Sequence, residues 1–293
     1  MSNHRFRRFT VSNCEIAFEW KGGRRLANNQ DVAYILPSDQ TEVDRLQLNH
    51  NLWKNVVGGL FKSPLHDKLT EGCRVIDIGC GPGWWTLDMA RLYPNSEFIG
   101  IDMADVFITK DKPDNVTFRI MNAGTGLAFE DESFDFVFQR FLVMGFPTDQ
   151  YILSINEIKR ILKPSGYLEI IELVNDYKNA GPAFKNINKW INNALAARNM
   201  DSFIADKISS FLSDAGYADI RDINYDVPIG SWGGEPGEMF LAIQRLALPA
   251  VKVMITELTD VTAKEYDDNL ELAFKEVDVS QISTRFRLIY ATK

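Results

Sequence analysis

Arg74-Val75-Ile76-Asp77-Ile78-Gly79-Cys80-Gly81-Pro82-Gly83-Trp84-Trp85 decides how this chain is read. Its near-continuous apolar start predicts a strand buried on both faces of a parallel sheet. A glycine-rich turn follows at once. Trp84, Trp85, Leu87, Ala90 and Leu92 then open an amphipathic helix that stops before Pro94. Strand, tight turn and helix in that order make a nucleotide-binding α/β unit.

The spacing of the turn selects the ligand. A dinucleotide site uses G-x-G-x-x-G, whereas Gly79, Gly81 and Gly83 are two apart and follow Asp77. That argues against a nicotinamide-dependent oxidoreductase. Asp77-Ile78-Gly79-Cys80-Gly81-Pro82-Gly83 resembles motif I of class I S-adenosylmethionine (SAM) methyltransferases. The next strand, Phe98-Ile99-Gly100-Ile101, ends in Asp102 with Met103 beyond it. A carboxylate there accepts hydrogen bonds from both ribose hydroxyls.

Further stretches carry the resemblance to the fungal LaeA-like methyltransferases. They are Gly23-Arg24-Arg25, Tyr34-Ile35-Leu36-Pro37, Glu42, Arg45-Leu46 and His50 ahead of the turn, then Phe129–Asp135 and Leu162–Glu169 after it. The likeness runs from Gly23 to Leu173 and fades beyond. It implies SAM as cofactor, S-adenosylhomocysteine as product, and cofactor contacts from Asp77, Gly79, Cys80, Gly81 and Gly83. Asp102 and Met103 would flank the ribose, and Asn122 and Ala123 the adenine. Gln139 and Arg140, at the end of strand Phe134–Phe138, would lie beside the sulfonium. Arg45 and Tyr34 would complete the site, Arg45 through the SAM carboxylate or else as a solvated ion-pair residue.

The resemblance implies one Rossmann-like α/β domain, a doubly wound seven-stranded sheet, mostly parallel, with its last strand antiparallel. Residues 1–22 read as an N-terminal tail, 23–70 as a helical segment leading to the first strand, and 71–293 as the SAM-binding domain, with a helical lid at about 175–216. In the leading segment, Ser38 or Asp39 caps a helix carrying Val43, Leu46, His50, Trp53 and Val57 on one face, ended by Gly58-Gly59. Thr148 or Asp149 caps another, Asp201 starts one that runs to Gly216, and Thr262-Ala263-Lys264-Glu265 is a capping box. Strands are expected at Val116–Met121, Tyr167–Leu173, Ile220–Val227 and Thr284–Tyr290. Glu169 and Glu172 fit either site-rim groups or simple strand alternation.

His50 reads either as a buried, hydrogen-bonded histidine or as a catalytic base; Tyr177 is the other candidate. Aromatics near the mouth suggest Trp53, Trp190 and Trp232 as acceptor contacts. His4, His50 and His66, with Cys14, Cys73 and Cys80, show no metal-ligand spacing, so no metal is expected. The cysteines form no even framework, which suits a reducing compartment, cytoplasmic or nuclear. The 293 residues carry a net charge of −8, the wrong sign for a sequence-blind nucleic-acid binder. No run of eighteen apolar residues occurs, so no membrane span is expected. Arg5, Arg7 and Arg8 read as a basic tail in preference to a transit peptide. The expected activity is methyl transfer to an unidentified acceptor. The alternative is a SAM-binding regulatory subunit with little turnover, and a protein partner or a homodimer stays open.

Overall fold

The computed structural model describes the backbone of residues 18–21 and 24–27, and residues 39–293. Tyr34 lies outside them. The described residues begin with two short antiparallel strands, β1 (Phe18–Lys21) and β2 (Arg24–Ala27). Part of the segment expected to be helical is therefore extended. Helix α1 (Gln40–Val57) follows, with the Asp39 carboxylate accepting the Glu42 amide at 3.1 Å and Gly58 closing it at φ 69°.

Next come α2 (His66–Glu71), β3 (Arg74–Ile78), α3 (Trp84–Leu92), β4 (Glu97–Asp102), β5 (Val116–Ile120) and β6 (Phe134–Arg140). The second half runs α4 (Thr148–Ile161), β7 (Leu162–Lys178), α5 (Pro182–Ala196), α6 (Ile208–Asp214), β8 (Ala218–Pro228), α7 (Gly234–Leu258), α8 (Ala263–Ser280) and β9 (Ser283–Thr292). The sheet has seven strands in the order β5-β4-β3-β6-β7-β9-β8. Only β9 runs against its neighbours β7 and β8, as expected of the last strand.

The chain leaves β3 toward β4 and β5, then returns to place β6 on the other side of β3. That reversal is a topological switch point, where ligands settle outside the carboxyl ends of the strands. The strands alternate between two cores. Val75, Phe98, Phe136 and Phe138 face one layer with α1, α3, α5 and α7. Ile76, Ile78, Ile99 and Val137 face the other with α4 and α6. Burial on both sides is why β3 and β6 read as near-continuous apolar runs, interrupted by Asp77 and Asp135. Trp85 of α3 stacks on Phe138 at 3.9 Å and 2° and donates its indole N–H to the Leu60 carbonyl at 2.7 Å.

Three local expectations are corrected. Asn175–Lys178 is strand, because Tyr177 and Lys178 pair with Thr284 and Ser283 of β9; the helix of this segment, α5, starts only at Pro182. Asp201 does not start a long helix: it accepts the Phe203 amide at 2.9 Å, a 3-10 turn follows, and α6 begins at Ile208. Thr148 and Asp149 lie inside α4, whose capping position is Pro147. The capping box holds, with the Thr262 hydroxyl accepting the Glu265 amide at 3.2 Å.

Helix α7, with the turn before it, is long and apolar enough by composition to cross a bilayer. Its Phe240, Ile243, Leu248, Val251 and Ile255 are buried within the domain.

Candidate functional site

The glycine turn is shaped by close approach. Gly79, Gly81 and Gly83 have φ of 68°, 55° and 90°, the left-handed region that side chains resist. A Cβ on Gly79 would sit 2.5 Å from Leu142 Cδ2, and one on Gly83 2.3 Å from the Phe118 ring. Gly81 differs. Its Cβ would meet only Leu46, at 3.5 Å, and the residue faces a cavity. Asp102, at the tip of β4, accepts the Gly81 amide through Oδ2 at 2.8 Å and the Ala104 amide through Oδ1 at 2.9 Å. Burial pushes its carboxyl up, and those amides oppose the shift.

The cavity collects many of the expected residues. Gly79, Cys80, Gly81, Asp102, Met103, Ala123, Arg140 and Arg45 line it, and so does Tyr177. The Cys80 thiol is pushed up by burial and is no nucleophile near neutral pH.

Others sit elsewhere for local reasons. Gln139 lies one residue from Arg140, so strand alternation sends it to the opposite face, where Nε2 donates to the Tyr151 hydroxyl at 3.2 Å. Asn122 turns its Oδ1 back onto the Gly124 amide at 2.9 Å, while Met121 and Ala123 face the cavity. Asp77 is buried behind the turn and accepts the Thr86 hydroxyl at 2.6 Å. Burial raises its carboxyl to about 6, and its Oδ1 has no hydrogen-bond partner among the described residues. Gly83 packs under Phe118 and starts α3.

The two arginines of the cavity differ. Arg45 is forked onto Glu42, Nε to Oε2 at 2.8 Å and a terminal nitrogen to Oε1 at 2.7 Å, with both side chains buried. Arg140 forms no hydrogen bond or ion pair with the described residues. Its guanidinium lies 5.7 Å from the Phe141 ring centroid, with Asp77 as the foremost favourable charge.

His50 is not among the lining residues. It is buried between α1 and α3, with Nε2 3.1 Å from Asp88 Oδ2. Burial lowers it to about 4, so the ring is neutral at physiological pH and Nε2–H is the donor to Asp88. Tyr177 is pushed up to about 12 by burial and stays a phenol, facing the Gln244 side chain.

The three tryptophans expected near the acceptor do not line the cavity. Trp53 is core, 2% exposed, at 4.4 Å from the Phe286 ring and 5.6 Å from Phe141. Trp190 packs on Tyr266, and Trp232 donates its indole N–H to the Ile229 carbonyl at 2.9 Å. Glu169 and Glu172 are not rim groups either. Glu169 accepts the Lys62 and Ser63 amides and the Ser63 hydroxyl. Glu172 accepts the Leu142 amide at 2.8 Å, the Val143 amide and the Tyr151 hydroxyl, and so anchors the loop after β6 that forms one wall. Burial lifts Glu172 to about 8.

Sequence reasoning missed Trp84, Leu142–Phe146, Phe240, Ile243, Gln244 and Phe286, all of which line the cavity. The missing signal was distance along the chain: α7 and β9 reach the site only through the sheet order. Among the described residues no group of histidine, cysteine and carboxylate side chains has the makings of a metal site.

The turn fits an adenosine-type cofactor on its own geometry. Gly81 leaves open the space a Cβ would fill, and the Asp102 carboxylate stands at the adjacent strand end. Known proteins agree. The methyltransferase domain family matches residues 69–228, more than half of the chain. The secondary metabolism regulator laeA of Coprinopsis cinerea is 32% identical over 154 residues, which are 51% of this chain and 38% of that protein. The N-methyltransferase verN of Clonostachys rogersoniana is 28% identical over 69% of this chain and 71% of its own length. The fold is shared with phosphoethanolamine N-methyltransferase 2 of Haemonchus contortus, solved with phosphomonomethylethanolamine and S-adenosylhomocysteine. That match has a TM-score of 0.51 at 19% identity, over 87% of this chain and 58% of the other. On the family match and the glycine turn together, the chain belongs to the methyltransferase domain family, in its S-adenosylmethionine-dependent class.

Proposed function

We propose that this chain turns over as a methyltransferase acting on a small molecule. One observation carries the reading: the cavity is lined by more than the glycine turn. It also has an apolar side, its second compartment, to which β7, α5, α7 and β9 contribute Leu173, Ile191, Phe240 and Phe286. Apolar lining of that kind suits a small acceptor beside the cofactor.

SAM supplies a methyl group already activated by its sulfonium. The protein therefore positions two reactants and excludes water. Asp102 would hold the ribose hydroxyls, and Met121 and Ala123 would flank the adenine. Arg140 would take the carboxylate of the cofactor's amino-acid end. A guanidinium beside a sulfonium repels it, whereas the carboxylate supplies the anion Arg140 otherwise lacks. Arg45 is already neutralised by Glu42 and would hold α1 in place over the turn. Apolar walls from α5 and α7 would keep water from the methyl group during in-line attack.

The similarity to a laeA regulator favours a second reading, a SAM-binding subunit that acts within a complex. Labelled-methyl transfer from SAM into fractionated extract separates the two. Label in a small-molecule fraction supports turnover. No labelled species, with a partner co-purifying in fixed ratio, supports the regulatory reading.

A further inference from the structure

Helix α7 carries a stripe that meets the second compartment at Phe240, Ile243, Gln244, Ala247, Leu248 and Val251. The positions fall at i, i+3, i+4, i+7, i+8 and i+11, as for any core-facing helical stripe. Gln244 is the one polar residue in it, and it is 6% exposed. An unpaired amide in such a place costs about 1–3 kcal/mol, and a leucine would pack there at no such cost. Gln244 meets the Tyr177 hydroxyl, also on the cavity wall. An amide carries two donor hydrogens and an acceptor oxygen, and one tyrosine does not use them all. The charged lining residues come from α1 with its cap and from the tips of β4 and β6. From β7, α5, α7 and β9 the lining side chains are apolar, or are the uncharged Asn175, Tyr177 and Gln244. Asn175 is itself engaged with Asn192. A carboxylate or ammonium brought into this compartment would lose its hydration with no opposite charge to replace it.

We infer that this compartment takes an uncharged, mainly apolar acceptor, and that Gln244 with Tyr177 reads its polar edge. This rests on the methyltransferase reading of the same cavity. Gln244 is a specificity residue: it holds the acceptor's orientation and does not touch the transferred methyl group.

The test uses the full chain saturated with S-adenosylhomocysteine and two fluorescent probes on one scaffold. N-phenyl-1-naphthylamine is uncharged, and 1-anilinonaphthalene-8-sulfonate adds a single negative charge. The uncharged probe is expected to bind saturably, one per chain, and the sulfonate at least ~10-fold more weakly. Ala247→Trp fills the compartment and should weaken the uncharged probe by ~10-fold or more, with S-adenosylhomocysteine affinity by calorimetry within about twofold. Val251→Trp serves the same purpose if the first variant does not fold. Displacement of the probe by 2-naphthol and by 2-methylnaphthalene reads Gln244. The wild type should prefer the hydroxylated ring, Gln244→Leu should reduce that preference, and Gln244→Leu with Tyr177→Phe should abolish it. Absence of probe binding, equal binding of the sulfonate, indifference to both tryptophans, a preference unchanged by Gln244→Leu, or one that survives the double variant would each overturn the inference. A wild-type chain that binds no S-adenosylhomocysteine would instead count against the cofactor reading.

Discussion

The Asp102 carboxylate accepts the Gly81 backbone amide at 2.8 Å, tying the tip of β4 to the turn that follows β3. The residue suited to the ribose hydroxyls thus also holds the shape of the loop. Asp102→Ala removes a charged acceptor and frees the turn. SAM affinity should fall by about 1.5–3 kcal/mol or more, and S-adenosylhomocysteine, which shares the ribose, should lose as much. Calorimetry with both ligands checks this; a variant that loses only rate would contradict it.

Arg140 is a guanidinium without an ion-pair partner among the described residues, at the wall of the cavity. Arg140→Gln should weaken S-adenosylhomocysteine by about 10-fold, roughly 1.4 kcal/mol. Methylthioadenosine, which has no amino-acid carboxylate, should bind wild type and variant alike. An equal loss for both ligands would place Arg140 near the nucleoside instead.

Glu172 has its carboxyl raised from 4.5 to about 8 by burial, against three hydrogen bonds. A carboxyl raised on folding holds its proton in the native state over a range where the unfolded chain has lost it. Its contribution to stability is therefore full below about pH 4.5 and declines as pH rises toward 8. Glu172→Gln should flatten that decline. Urea unfolding at mildly acidic and mildly alkaline pH measures it, and a slope identical to wild type would show that Glu172 does not titrate in this window.

Trp53 and Trp232 should separate as core and surface. Trp53→Ala empties a site between Phe141 and Phe286 and should cost about 3–5 kcal/mol of stability. Trp232 is 42% exposed, and Trp232→Ala should cost about 1 kcal/mol, the worth of its one hydrogen bond. Thermal unfolding decides. A stable Trp53→Ala protein with altered acceptor kinetics would return Trp53 to the site.

The turn was legible in the sequence because its causes are local. Gly79, Gly81 and Gly83 have positive φ, Val75–Ile78 is flanked by core on both sides, and Asp102 ends the neighbouring strand. Each follows from a few adjacent residues. Gln139 and Arg140 mark where such reading stops. Proximity to a strand end placed both at the site, and alternation along β6 admits only one of them. Asn122 sits beside a turn with a backbone partner close by, and its Oδ1 accepts the Gly124 amide, a contact that the linear sequence does not display.

Residue order along the chain was enough to set the α/β class and the strand-turn-helix unit, and the cofactor followed from the resemblance of that turn to motif I of SAM methyltransferases. The first two depend on periodicity and glycine conformation, both short-range. The acceptor compartment is a product of assembly. Its walls come from β7, α5, α7 and β9, joined only when β9 inserts antiparallel between β7 and β8 and carries Phe286 beside Trp53 and Phe240. In the sequence Gln244 is one polar residue in an apolar helix, and Trp53 one aromatic in another. Which of them faces a cavity and which fills the core is settled by packing between segments far apart in the chain.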